Sequence, residues 1–103
     1  MPKLALFVRL EAKRGKENDV AKFLEKGLEL ANQEATTPVW FALRIGPATF
    51  AVFDAFADEA GRQAHLNGPI AKALMASAPD LLATPPAIER IDVLGAKLPV
   101  RRG

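Results

Sequence analysis

The chain has 103 residues, of which 50% are hydrophobic and 25% are charged, and this composition is typical of a globular protein. This length has room for one domain, so we expect a single domain over residues 1–103, with a short tail at 99–103. The chain contains no cysteine and one histidine. These counts exclude disulfides, thiolate nucleophiles and metal sites built from cysteines or several histidines, and we expect no metal.

The formal net charge of +2 comes from acidic and basic residues that are interleaved along the chain. Basic residues cluster only at 13–16, which we interpret as a solvated turn, and at 101–102, which we interpret as part of the tail. We therefore expect no binding of nucleic acid. The apolar run at 4–8 is too short for a signal-peptide core, and no segment has the length of a membrane span, so we expect a cytoplasmic protein without membrane contact.

The first half of the chain alternates between strand and helix patterns. Residues 4–11 carry apolar side chains at every second position, which predicts a strand. Residues 17–33 repeat apolar side chains every three to four positions, which predicts an amphipathic helix. Residues 39–45 and 49–56 are predicted to be two further strands, joined as a hairpin by the Gly-Pro pair between them.

The second half begins with two short helix patterns. Asp58 is the predicted N-cap of a helix that ends near Leu66. Gly68 is the predicted cap of a second helix whose first residue is Pro69. A Pro-Pro pair ends this helical region, and residues 88–94 are predicted to form the last strand.

The predicted order is therefore β-α-β-β-α-β, with the second helix broken in two. This is the α+β, ferredoxin-like split arrangement, in which a four-stranded antiparallel sheet carries its helices on one face. The strands are apolar on both faces, whereas an antiparallel sheet that faces water on one side normally has polar residues there. We therefore expect a homodimer in which the second face packs against a second copy.

The lone histidine is the first candidate for chemistry. His65 is a candidate general base, because its ordinary pKa suits proton transfer near neutral pH and the helix start after it favours the neutral imidazole. The alternative is a histidine that hydrogen-bonds a neighbouring loop. Asp54 interrupts an apolar strand and needs a partner, which is either His65 or Arg44. Its role is catalytic or orienting, or else that of a structural ion pair.

Two further groups are candidates for ligand contacts. Arg44 shares a strand face with Trp40 and could bind an anionic or phenolate oxygen, or could be a solvated arginine. Trp40 could contact a ligand, the core or a subunit interface. The phenylalanines Phe7, Phe53 and Phe56 could line a site for a planar ligand or belong to the core.

Several strings, in their order and spacing, carry a family resemblance. They are VRLEAK (8–13), GKE (15–17), FDAF (53–56), DEA (58–60), AHL (64–66), LLA (81–83) and PP (85–86). Over about residues 4–98 the chain resembles the antibiotic-biosynthesis-monooxygenase-like domains of the dimeric α/β-barrel superfamily. The resemblance implies a homodimer with a pocket between sheet and helices in each subunit. Members include cofactor-independent oxygenases of small aromatic quinols, haem-degrading enzymes and proteins with no assigned reaction.

The chain departs from the catalytic patterns of that family. Phe53 and Phe56 stand where members usually carry a tyrosine and a tryptophan, and the first strand has no asparagine. The haem ligand of the haem-degrading branch falls near Met75, which argues against haem degradation. The resemblance implies a cofactor-independent monooxygenase of a small aromatic or quinol-like compound, with His65 as the base and Asp54 or Arg44 as the orienting group. The alternatives are a non-catalytic dimeric binding protein for a small hydrophobic metabolite, and an isomerase on the same scaffold.

Overall fold

A computed structural model describes residues 2–99 of the chain. Its elements are β1 (Leu4–Glu11), α1 (Glu17–Ala31), β2 (Val39–Arg44), β3 (Thr49–Phe56), α2 (Glu59–Leu66), α3 (Pro69–Leu81) and β4 (Ala87–Asp92). The predicted order is confirmed, while the predicted ends of α1, β2 and β4 differ from the observed ends by one or two residues. From position 100 onward, the predicted tail lies outside the described residues.

The four strands form one antiparallel sheet in the order β2-β3-β1-β4. The predicted ferredoxin-like α+β fold is therefore confirmed. Asp54 of β3 lies opposite Trp40 of β2 on one side and Leu6 of β1 on the other. Because residues directly opposite in an antiparallel pair point to the same face, these three side chains share one face of the sheet.

The face that carries Asp54 also packs against the helices. Phe50 and Val52 of β3 lie in one core cluster with Val20 and Leu24 of α1. All four side chains are buried. Gly27, on the same helix, allows α1 to approach Trp40, since a Cβ atom at this position would lie 3.3 Å from Trp40 Cζ2. The tight approach places the indole ring between α1 and the sheet.

The break between α2 and α3 follows the predicted capping residues. Asp58 caps α2, because its Oδ1 accepts a hydrogen bond from the backbone N–H of Gly61 at 2.8 Å. Gly68 is the N-cap of α3 and Pro69 is the first residue of that helix, as predicted. His65 therefore lies in the last turn of α2, directly before the break.

The other face of the sheet is open and apolar. Phe7, Phe41 and Phe53 lie opposite one another across three strands on this face. Phe41 is 53% exposed and Leu43, on the same face of β2, is 39% exposed. The expectation that both faces of the sheet are apolar is thus confirmed.

Candidate active site

His65 lies between two carboxylates. Its Nε2 is 2.8 Å from Asp54 Oδ2, in an ion-pair contact, and its Nδ1 is 2.7 Å from Glu34 Oε1. Glu34 Oε1 also accepts a hydrogen bond from Thr37 Oγ1 at 2.8 Å. The exposed fraction of the side chain is 1% for Asp54, 7% for His65 and 14% for Glu34. We call these three residues the buried acid–base cluster.

Three separate segments bring the members of the cluster together. Asp54 points toward the helices because it alternates with Phe53 on β3. His65 reaches it from the last turn of α2, where its ring also packs on that of Phe56 with centroids 5.4 Å apart. Glu34 follows α1 in a turn in which its backbone N–H donates to the carbonyl oxygen of Ala31 at 3.0 Å.

The two carboxylates control the protonation of the imidazole. Burial lowers the pKa of His65, but the hydrogen-bonding and charge effects of Asp54 and Glu34 outweigh burial, and the pKa is raised above 6.5. The carboxylates therefore favour the imidazolium, whereas the start of α3 alone favours the neutral ring. Since each ring nitrogen faces a carboxylate, neither has a lone pair free to contact a ligand directly.

Buried polar atoms around the cluster retain hydrogen-bonding capacity. Among the described residues, Asp54 Oδ1, Glu34 Oε2, Trp40 Nε1 and Arg62 Nε have no hydrogen-bond partner. Asp54 Oδ2 has only its ion-pair contact with His65 Nε2. Trp40 lies directly opposite Asp54 in the sheet. Native proteins almost always pair such atoms with protein groups, water or a ligand. A buried donor, Trp40 Nε1, and a buried acceptor, Asp54 Oδ1, thus belong to opposite residues of neighbouring strands.

An apolar cavity of about 100 Å³ lies between the sheet and α3, beside His65. Apart from His65, its lining is apolar: Leu6, Val8, Leu66, Ile70, Ala71, Leu74, Met75 and Ile88. A larger groove of about 290 Å³, at the C-terminal end of α3, has no acidic or basic side chain in its lining. Another groove, of about 220 Å³ between α1 and β2, has Glu25 and Arg44 in its lining, and both residues are exposed. Of these three, the cavity beside His65 is the one that contains a buried titratable group, so it is the candidate active site.

The structure separates the predicted site residues into two groups. Asp54 and His65 meet, and Trp40 and Phe56 lie on the same side of the sheet. Phe7 and Phe53 face the opposite side, so they are not walls of the cavity at His65.

Arg44 also lies apart from the buried acid–base cluster. Its guanidinium donates hydrogen bonds to the carbonyl oxygens of Gly46 and Pro47, at 3.3 and 2.9 Å. The same group lies 5.0 Å from the ring centroid of Phe50, in a cation–π arrangement. Of the two partners considered for Asp54, the structure therefore selects His65.

Two residues of the site region were not predicted. Glu34 belongs to a polar turn without periodicity, and its partner follows 31 positions later, so no local signal indicates it. Arg62 is buried and donates to the carbonyl oxygen of Ala5 at 3.3 Å, while its Nη2 forms an ion pair with Glu59. Its spacing of three from His65 places both on one face of α2, and this spacing could have indicated it.

Within residues 2–99, no cluster of three or more histidine, cysteine, aspartate or glutamate side chains is arranged to hold a metal ion. No helix in the same range has the length and apolar character needed to cross a membrane.

Comparison with solved structures identifies the class of fold. No family model and no curated protein matches the chain. Two structures, each described as a "putative antibiotic biosynthesis monooxygenase", share its fold. The one from Nitrosomonas europaea has a TM-score of 0.79 at 16% identity over 89% of this chain and 90% of its own. The one from Caulobacter crescentus has a TM-score of 0.77 at 18% identity over 91% and 92%. The resemblance predicted from the sequence is thus confirmed at the level of the fold.

A much closer relative is a crystal structure of a second Nitrosomonas europaea protein, described as of unknown function. It is 65% identical over 98% of both chains, with a TM-score of 0.95. The chain belongs to one family with this protein. It shares its fold with the two structures described as antibiotic biosynthesis monooxygenases.

Proposed function

We propose that this protein is a cofactor-independent monooxygenase that acts on a small aromatic, quinol-like compound in the cavity beside His65. The observation that carries the proposal is a buried acid–base cluster next to an apolar cavity. The shared fold with structures described as monooxygenases of antibiotic biosynthesis supports it. An ionised, electron-rich ring can itself supply electrons to oxygen, so the protein would bind the ring, accept its proton and exclude water.

The cluster supports proton transfer because each ring nitrogen of His65 lies within hydrogen-bond distance of a carboxylate. In the proposal, the reactive form of the cluster has a neutral imidazole, which is populated above the raised pKa of His65. A substrate hydroxyl at the His65 end of the cavity gives its proton to the cluster, and Nε2 of His65, 2.8 Å from Asp54 Oδ2, accepts it. Glu34 meanwhile accepts the Nδ1 hydrogen and keeps Nε2 turned toward Asp54. The imidazolium that forms lies between two carboxylates, which stabilise it. Arg44 takes no part in this proton transfer, because its guanidinium donates hydrogen bonds to backbone carbonyl oxygens of its own hairpin.

Oxygen uptake with a panel of substituted hydroquinones tests the proposal. We expect the wild-type protein to consume oxygen, and His65→Gln and Asp54→Asn to reduce the rate about 100-fold or more, the usual contribution of a positioned acid or base. Asp80→Asn, an exposed carboxylate of α3, is the matched control and should keep the wild-type rate. No uptake by the wild type with any quinol would reject the monooxygenase. An unchanged rate in His65→Gln would remove His65 from the mechanism.

The proposal includes a homodimer and a cytoplasmic location. The open face of the sheet, with Phe7, Phe41 and Phe53, is the surface through which the two copies would pack. Its support is physical: Phe41 and Leu43 are 53% and 39% exposed on a face that a sheet in contact with water normally covers with polar side chains. Cell fractionation tests the location.

One observation favours a second candidate, a non-catalytic binding protein for a small hydrophobic metabolite. Both ring nitrogens of His65 already face carboxylates, which is also the arrangement of a purely structural ion pair. In that case we expect ligands to change the fluorescence of Trp40, the single tryptophan, without any turnover. Oxygen uptake or proton exchange with solvent by the bound ligand would reject this candidate.

A further inference from the structure

The size of the cavity beside His65 limits what it can hold. Its volume is about 100 Å³. An engineered cavity of about 150 Å³ in another protein holds one benzene molecule. The cavity beside His65 is smaller than this benzene site, so a single six-membered ring occupies all of it, and the outer part of the ring with its substituents extends into the mouth, where Met75 and Ile88 are 57% and 47% exposed.

The inner walls of the cavity belong to regular elements and are well packed. Leu6 is 1% exposed on the central strand β1, and Ile70 is 8% exposed in the first turn of α3. Close-packed interiors do not widen by the width of a second ring without displacement of a strand or helix. Fused two-ring compounds are therefore excluded by the inner end of the cavity.

The charge of the cluster limits the ligand in a second way. His65 is the only residue of the lining with a titratable side chain, and two carboxylates flank it. Even with a protonated imidazole, the cluster formally carries one net negative charge. In a poorly solvated site, this charge repels a carboxylate on the ligand. A neutral hydroxyl, in contrast, carries no charge for the cluster to repel, and as a hydrogen-bond donor it suits a site of net negative charge.

From volume and charge together, we infer that the site takes neutral, single-ring phenols and hydroquinones, and that it rejects fused-ring quinols and anionic rings. The inference rests on the proposed function, because it takes the cavity beside His65 to be the substrate site. To that assignment it adds the class of compound that the cavity binds.

Calorimetric titration under anaerobic conditions tests the inference by binding alone. The probes are hydroquinone, 1,4-naphthohydroquinone, which has a second fused ring, and 4-hydroxybenzoate, which has one ring and a negative charge. We expect hydroquinone to bind and each of the other two to bind at least about tenfold more weakly, a typical penalty for a misfitting group. Equal binding of naphthohydroquinone, or no binding of hydroquinone, would overturn the inference.

Two alanines of α3 provide a matched pair of variants. Ala71 lines the cavity at His65, whereas Ala73 lines a different cavity of about 140 Å³ between α1 and α3. Ala71→Leu fills the first cavity and should weaken hydroquinone binding at least about tenfold, because the added methyl groups occupy the space of the ring. Ala73→Leu adds the same atoms elsewhere and should bind like the wild type. Equal effects of the two substitutions would overturn the inference.

A widened cavity gives the opposite test. Leu74→Ala removes one wall and should raise the affinity for naphthohydroquinone relative to hydroquinone at least about tenfold. If either variant fails to fold by circular dichroism, the ratio of the three probes in the wild type still decides. A different result would reject the proposed function and leave the inference about binding intact. In that case hydroquinone binds as expected, but no quinol supports oxygen uptake.

Discussion

Glu34 accepts the Nδ1 hydrogen of His65 at 2.7 Å, although 31 positions separate the two residues. Through this contact the turn after α1 is tied to the last turn of α2, and through Nε2 the same ring is tied to Asp54 of β3. One imidazole thus holds three segments together. Any change of its protonation state alters all of these contacts at once.

The pKa of His65 is open to direct measurement. Asp54→Asn removes one of the two carboxylates that favour the imidazolium, while the burial that disfavours it remains, so the pKa of His65 should fall. Glu34→Gln should act in the same direction. Because the chain has one histidine, a ¹⁵N NMR titration of the ring is unambiguous. Asp80→Asn should leave the titration unchanged, and a wild-type value in both carboxylate variants would contradict the assignment.

The stability of the protein should depend on the same proton. The pKa of His65 is raised above its ordinary value of 6.5, so the protonated ring stabilises the folded state fully below pH 6.5 and this contribution is lost as pH rises through the folded-state value. We expect the difference in free energy of unfolding between wild type and His65→Gln to shrink from pH 6 to pH 9. Urea denaturation measures it at each pH. If the difference in free energy of unfolding grew with pH instead, the pKa of His65 would be lowered in the folded state and not raised.

Arg62 should contribute to stability by fastening α2 to the sheet. Its Nη1 donates to the carbonyl oxygen of Ala5 at 3.3 Å, and the side chain is largely buried. Arg62→Met keeps most of the aliphatic volume and removes the donors, which should cost about 1–3 kcal/mol in free energy of unfolding. Glu59→Gln, whose side chain is 52% exposed, should cost at most about 1 kcal/mol. If Arg62→Met and Glu59→Gln lowered the free energy of unfolding equally in urea denaturation, the contribution of Arg62 would come from its ion pair with Glu59 and not from its hydrogen bond to Ala5.

The open sheet face makes a separate prediction about assembly. Phe41→Lys places a charge on this face, at its edge strand β2, and should convert the proposed dimer into a monomer, measured by light scattering after gel filtration. Leu28→Lys introduces the same charge at a residue of α1 that is 48% exposed, close to the 53% of Phe41, and should not change the mass. A wild-type monomer at micromolar concentration would reject the dimer.

The fold was largely predictable because its signals are local. The ends of β1 and β3 agree with the alternation of apolar residues, and the break between the helices agrees with the capping role of Asp58 and the Gly68-Pro69 pair. Strand alternation shows which residues of one strand share a face. When both faces are apolar, it does not show which of them turns toward the helices. Phe53 was grouped with Asp54 and Phe56 as a site residue, although the alternation along β3 already places it on the other face, and it lies on the side of the sheet away from His65.

The candidate site was predictable only in part because its contacts are distant in sequence. Asp54 was recognisable as a carboxylate on an apolar strand, and His65 as the lone histidine. Their meeting depends on the strand register and on how α2 packs, which no local pattern contains. Glu34 carries no signal of its own, because a carboxylate in a polar turn is ordinary until a buried ring is placed beside it.

The position of β1 in the sheet has a consequence for how the chain folds. β2 and β3 are joined by a short turn, whereas β1 pairs with β3 between residues 38 positions apart, Glu11 and Thr49, and with β4 across nearly the whole chain. The hairpin can form early, but insertion of β1 requires closure of long loops on both sides, and such steps are slow. We therefore expect this insertion to limit the rate of folding. Asp54 lies beside Leu6 of β1, so its carboxylate becomes buried against His65 only at that late step.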